Sequence, residues 1–86
     1  MRTITYTISD ELGFHARPVG KLVKIVKGFG GKVEVGTEAK MVDCKRLMGI
    51  MALGIKQGEV ITINIDGEGE DKLADEILSL FNEENL

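Results

Sequence analysis

Residues 59–66 alternate without a break: Ile61, Ile63 and Ile65 fall on one side, Thr62 and Asn64 on the other. A strand divided in this way is stable when apolar groups cover one face and water takes the other. The same requirement arises at the start of the chain, where Ile4, Tyr6 and Ile8 share a side and Thr3, Thr5 and Thr7 share the opposite one. A cover for these faces is encoded nearby. Val19, Leu22, Val23 and Val26 recur at i, i+3, i+4 and i+7, with Lys21, Lys24 and Lys27 off that stripe, which is the pattern of an amphipathic helix. Pro18 suits its first turn, where a missing N–H costs nothing, and Gly28 followed by Phe29-Gly30-Gly31 stops it. These signals predict a helix over residues 16–27.

The remaining segments complete the pattern. Residues 32–35 and 40–43 alternate on either side of Gly36-Thr37-Glu38-Ala39 and read as a hairpin. Leu47, Ile50 and Met51 form a short helical stripe before Gly54, and Leu73, Ile77, Leu78 and Phe81 form a longer one. Glu70 and Asp71 open that last helix, where negative charge suits the positive end of the dipole; its end is expected near Asn82. The order is therefore βαββαβα, and four one-sided strands with three helices imply a two-layer α/β sandwich. At 86 residues, with 43% hydrophobic, the chain is expected to be one domain spanning residues 1–86 with one core and no second domain. Periodicity leaves the strand order open.

Composition removes several classes of function. Cys44 is the single cysteine and His15 the single histidine, so neither an internal disulfide nor a Cys/His zinc site can form, and no metal or cofactor is expected. Cys44 is expected to be a small buried hydrophobe. No run approaches the length of a membrane span and the N-terminus alternates like a strand, so the expected location is the cytoplasm. Residues 1–58 hold ten Lys and Arg against five Asp and Glu, whereas residues 59–86 hold one against nine. A chain so polarised suits an acidic protein partner better than nucleic acid. Gly28-Phe29-Gly30-Gly31 fits the letters of an RNA-binding GxxG loop, but that loop joins two helices and this one leads into a strand. Asp66 opens a calcium-like run that fails at Ile77, where an EF-hand would need its closing Glu.

His15 stands immediately before the first turn of the first predicted helix. A neutral imidazole is a nucleophile near pH 7, and a helix N-terminus offers free N–H groups and partial positive charge. A phosphoryl group on His15 would enter an anion site, with Arg17 two residues on able to grip its oxygens as a fork. A lone histidine without context more commonly caps a helix or lies on the surface. Here the context is Gly13-Phe14-His15-Ala16-Arg17-Pro18, which resembles the active-site signature of the HPr family, the phosphocarriers of the bacterial phosphoenolpyruvate-dependent sugar phosphotransferase system. Residues 45–54, Lys-Arg-Leu-Met-Gly-Ile-Met-Ala-Leu-Gly, resemble the second signature of that family, and length and element order match it across the whole chain.

The resemblance implies an α+β open-faced sandwich in which three helices cover a four-stranded antiparallel sheet. It implies a stoichiometric carrier and not an enzyme: His15 would take a phosphoryl group on Nδ1 from phosphorylated enzyme I and pass it to the A domain of a sugar-specific enzyme II. Arg17 would stabilise that group, and a monomer is expected. A transferable phosphoryl group should be unshielded, so His15 is expected to be exposed. The matching partner surface is Arg17, Lys24, Lys27, Leu47, Met48 and Met51. Leu47 and Met51 serve equally well as core; Met48 lies off their stripe and is the better candidate for exposure.

Three positions depart from the family pattern. Arg46 stands where many members carry a serine phosphorylated by a regulatory kinase, Leu12 stands where a small polar residue is usual, and Val19-Gly20 replaces Ala-Ala. Arg46 has no hydroxyl, so that switch is absent. Two other readings are a carrier of a regulatory or non-sugar phosphotransfer branch, and a binding module that uses the methionine patch with His15 incidental.

Overall fold

The structure, a computed structural model, describes residues 1–86. Seven elements follow in the expected order: β1 Arg2–Thr7, α1 Ala16–Lys27, β2 Lys32–Gly36, β3 Met41–Asp43, α2 Leu47–Met51, β4 Val60–Asp66 and α3 Glu70–Glu83. The four strands form one sheet in the order β1-β4-β2-β3, with every neighbouring pair antiparallel. The strand with the strictest alternation, β4, lies inside the sheet, where it pairs on both edges.

Register brings the apolar sides together. Ile4 opposes Ile63 and Tyr6 opposes Ile61 across β1 and β4, while Val33 opposes Ile65 and Val35 opposes Ile63 across β2 and β4. Because side chains alternate with a period of two, all of these residues face the helices, and a slip of one position would turn the whole set outward. Thr3, Thr5, Thr62 and Asn64 occupy the other face, where the Thr3 hydroxyl donates to Asn64 Oδ1 at 2.8 Å. Antiparallel sheets tolerate one wet face, and the open-faced sandwich follows. The radius of gyration is 11.5 Å.

The core joins Val19, Leu22, Val23 and Val26 of α1 to Leu73, Ala74, Ile77, Leu80 and Phe81 of α3 and to the inner face of the sheet. It contains no buried polar or charged side chain. Cys44 is fully buried, and burial, with the Asp43 charge adding to it, pushes its thiol pKa up to about 12. A thiol held that far above neutrality is an inert packing group.

Several local readings are corrected by the packing. In α3, Leu80 and Ala74 are buried while Leu78 is half-buried, because Leu80, seven residues after Leu73 and three after Ile77, shares their covered face, whereas Leu78 lies at its edge. In α2, Ile50 is the buried residue; Leu47 remains 40% exposed and Met51 packs only partly against the core. A helix of five residues presents about one and a half turns, and one side chain suffices to anchor it. The chain beyond α3 is also part of the packing, since Leu86 is fully buried.

Gly20 shows a smaller difference. The space in which its Cβ would lie holds no atom within 4 Å, so packing does not require the small residue in mid-helix. Gly20→Ala is expected to raise stability by about 1 kcal/mol through helix propensity. For a domain of this size the melting temperature should rise by roughly 4–8 °C; a fall would show a neighbour that the alanine methyl disturbs.

Candidate functional site

The segment before α1 is fastened on both sides of the histidine. Phe14 is buried, with its ring edge-on to Phe81 at a centroid distance of 6.2 Å, and its N–H donates to the Ile55 carbonyl at 3.0 Å. Gly13 adopts φ +70°, and a Cβ there would lie 2.5 Å from Ile55 O. Only a residue without a side chain can turn the chain this close to the 55–56 backbone. Next, His15 has extended backbone angles and forms the N-cap of α1, its carbonyl accepting the Val19 N–H at 3.1 Å. Its side chain makes no capping bond.

The ring is engaged elsewhere. His15 Nε2 lies 2.9 Å from Asp10 Oδ2, whereas Nδ1 has no hydrogen-bond partner in the protein. The His15 side chain is 28% exposed, so the expectation of a freely exposed residue is corrected to a half-buried one. The cause is the 10–15 turn, which folds Asp10 against the ring. Beside it, the N–H groups of Ala16 and Arg17 have no acceptor and Pro18 has none to satisfy. No acidic residue occupies the first turn of α1. The end of the helix nearest His15 thus presents unpaired donors and partial positive charge.

Arg17 extends from that turn, 74% exposed, with Nε 3.4 Å from Glu84 Oε1. Glu84 also accepts from Lys21 Nζ at 2.8 Å and is only 12% exposed. Glu84 and Asp10 are the functional neighbours that sequence reasoning missed. Asp10 had a local signal, an acid five residues before the histidine in a turn-forming run; Glu84 had none, because it reaches Arg17 from the far end of the chain.

The residues expected to face a partner divide into groups. Met48 is 77% exposed and Leu47 partly so, on a helix that packs against α1; Met51 is half-buried beneath them. Leu12, 72% exposed, adds a further apolar side chain from the 10–15 turn. Arg17 and Lys24 are seven residues apart on one line of α1, and both are exposed. Lys27 is exposed as well but lies about 18 Å along the helix from His15.

Both missed carboxylates are held below the usual carboxylate range. For Asp10 the main cause is the hydrogen bond from the Leu12 N–H, followed by the bond to His15; for Glu84 it is the bond from Lys21, with the Arg17 charge adding. A carboxylate depressed in the folded state stabilises the fold above its unfolded pKa, near 4, and that contribution disappears as pH falls through the lower folded value. Urea stability is therefore expected to decline below about pH 4, and Glu84→Gln should make the decline shallower. An unchanged acid limb in Glu84→Gln would show that the pair is not formed in solution.

The family profile described as "PTS HPr component phosphorylation site" matches residues 2–83. This chain belongs to the HPr family. It is 38% identical to the phosphocarrier protein HPr of Lysinibacillus sphaericus over 86 residues, covering 100% of this chain and 98% of that relative. Among solved structures, HPr-C-His from Thermoanaerobacter tengcongensis superimposes with a TM-score of 0.86 at 32% identity, covering 95% of this chain and 92% of that one. An HPr dimer from the same organism gives a TM-score of 0.74 at 31% identity, covering 98% of this chain and 97% of that one. The HPr architecture, four antiparallel strands under three helices, is the one observed here, and this chain is a phosphocarrier of the phosphotransferase type. No helix of this HPr chain is long and apolar enough to cross a membrane.

Proposed function

We propose that this chain accepts a phosphoryl group on His15 Nδ1 from phosphorylated enzyme I and donates it to the A domain of a sugar-specific enzyme II during sugar uptake. The observation that carries the reading is the division of the His15 ring: Nε2 is bound to Asp10 and Nδ1 has no partner in the protein, on the residue that forms the N-cap of α1, whose first N–H groups are unpaired. In capture, the Nδ1 lone pair attacks phosphorus, the donor–phosphorus bond breaks, and the donor atom keeps its electron pair. Delivery reverses these roles, the Nδ1–phosphorus bond breaking as the acceptor forms its own. Helix N–H groups and Arg17 offset charge on the phosphoryl oxygens in both directions. Arg17 must exchange Glu84 for the phosphoryl group; its guanidinium is exposed and Glu84 keeps its bond from Lys21, so neither charge is left unpaired by the exchange.

Leu47, Met48, Met51, Lys24 and Lys27, with Arg17, form the docking surface for acidic, differently shaped partners. Met48→Asp is expected to slow transfer at least tenfold, as loss of a central anchor does, with an unchanged melting temperature because the side chain is exposed. Equal transfer rates for Met48→Asp and wild type would place the docking surface elsewhere. The protein acts as a monomer in the cytoplasm; sedimentation analysis checks the first point, since a related HPr forms a dimer.

Arg46 and exposed Leu12 favour a second reading, a carrier of a regulatory or non-sugar branch. Arg46 is exposed at the N-cap of α2 and makes no side-chain cap bond, so a cation stands at the site of the regulatory serine. The test is intact-mass measurement after incubation with phosphoenolpyruvate and enzyme I, followed by a panel of acceptor domains. One acid-labile phosphoryl group drained by a sugar-specific A domain supports the first reading, and drainage only by another acceptor supports the second. No mass gain with active enzyme I and folded protein removes both and favours a binding module.

A further inference from the structure

We propose that Asp10 decides which nitrogen of His15 is the nucleophile: its carboxylate holds the ring proton on Nε2 and leaves the Nδ1 lone pair free for phosphorus. The proposal rests on the carrier reading and deepens it. Asp10 Oδ2 lies 2.9 Å from His15 Nε2. An ionised carboxylate has only acceptor sites, so the nitrogen that faces it must donate. Neutral imidazole has a single N–H, and with that proton on Nε2 the lone pair belongs to Nδ1.

The carboxylate is itself held in place. Asp10 Oδ1 accepts the Leu12 N–H at 2.9 Å, its carbonyl accepts the Gly13 N–H at 2.9 Å, and its own N–H donates to Leu86 O at 3.0 Å. The two carboxylate oxygens therefore have different tasks, one closing the turn and the other orienting the ring. Asp10 and His15 side chains are 23% and 28% exposed, sheltered enough for the bond to persist and open enough for a partner to reach the ring. The other charges around the histidine are the Arg17 guanidinium on α1 and the carboxylate of Glu84, the residue that caps the end of α3. They are paired with each other, and neither is hydrogen-bonded to the ring.

Asp10 acts in both directions of transfer without moving a proton. When Nδ1 bonds to phosphorus, the ring carries phosphorus on one nitrogen and hydrogen on the other and becomes cationic. The carboxylate offsets that charge, as the aspartate of a catalytic triad does for its imidazolium. When the Nδ1–phosphorus bond breaks, the electron pair returns to a ring that still holds its Nε2 proton. The leaving group is neutral imidazole and not imidazolate, which keeps the phosphoryl group transferable. Asp10 is a positioning residue, since it touches the ring and not the phosphorus.

Asp10→Asn separates this role from a structural one. The amide oxygen can still accept the Leu12 N–H, but the NH₂ group then faces Nε2 and requires it to accept, which moves the ring proton to Nδ1. Long-range ¹H–¹⁵N spectra of the unphosphorylated protein, recorded where the ring is neutral, read the tautomer directly. Wild type is expected to rest as Nε2–H and Asp10→Asn to shift toward Nδ1–H. Phosphoryl capture by the variant should slow roughly 10–100-fold, the range for residues that orient a reacting histidine, and Asp10→Glu should recover part of the rate. A wild type that is phosphorylated but rests as Nδ1–H overturns the assignment, as does an Asp10→Asn protein unchanged in both tautomer and rate. If that variant fails to fold, the wild-type tautomer decides the question. A wild type with Nε2–H that gains no phosphoryl group from active enzyme I overturns the carrier reading, and with it the part of Asp10 in transfer.

Discussion

His15→Ala is expected to abolish phosphoryl capture entirely while leaving the protein folded. The side chain contributes the only imidazole in the chain, so no second nitrogen can accept the group. Its structural contribution is small. The His15 carbonyl, not the ring, receives the first α1 hydrogen bond from Val19, and the side chain makes no capping bond. What the fold loses is the contact with Asp10, a pair with both members partly exposed, and such pairs contribute little to stability. Intact mass after incubation with phosphoenolpyruvate and enzyme I should show one added phosphoryl group on wild type and none on the variant, with urea midpoints close together. A variant that is still phosphorylated would move the acceptor away from His15. A variant that retains partner regulation without phosphorylation would favour the binding-module reading.

Gly13→Val is expected to have the largest effect on stability, a loss of about 3–5 kcal/mol. Two independent costs meet at this position. A β-branched residue at φ +70° adopts left-handed backbone against its own preference, and its Cβ would stand 2.5 Å from Ile55 O, a backbone atom that cannot rotate away. The Phe14 N–H bond to that same carbonyl would be lost or stretched as the strands of chain move apart. For 86 residues the whole stability is about 4–13 kcal/mol, so the variant should lose about a quarter of it or more and melt at a clearly lower temperature. Urea denaturation followed by circular dichroism measures the loss. A change below 1 kcal/mol would mean that the 55–56 segment yields, which the buried Ile55 side chain argues against.

The sequence was informative where a property is periodic or contiguous. The bounds of α1 match the expected range, α3 ends one residue past the expected Asn82, and the strands differ by no more than a residue or so, because alternation and helical spacing are local consequences of backbone geometry. The exposure of Met48 was legible for the same reason: one step off the Leu47/Ile50/Met51 stripe turns a side chain away from the sheet. His15 was legible through the contiguous residues 13–18, which are needed together to make the turn, the cap and the first turn of α1. Leu80 was legible but overlooked: it stands seven residues after Leu73 and three after Ile77 on one face, whereas Leu78, expected in that stripe, lies at its edge.

The sequence by itself determined the element types, the apolar face of each strand and the position of the one histidine at a helix start, and its single cysteine rules out an internal disulfide. Tertiary structure alone decided the strand order β1-β4-β2-β3, the burial of Leu86 and the meeting of Arg17, Lys21 and Glu84. It also decided that Asp10 faces Nε2 and leaves Nδ1 free. The physical reason is range. Periodicity records which side of an element avoids water, whereas a pair 63 residues apart such as Lys21 and Glu84 forms only after two layers have packed. The direction of the Asp10 carboxylate likewise depends on a turn whose geometry is set by Gly13 against Ile55 and by the docking of Leu86.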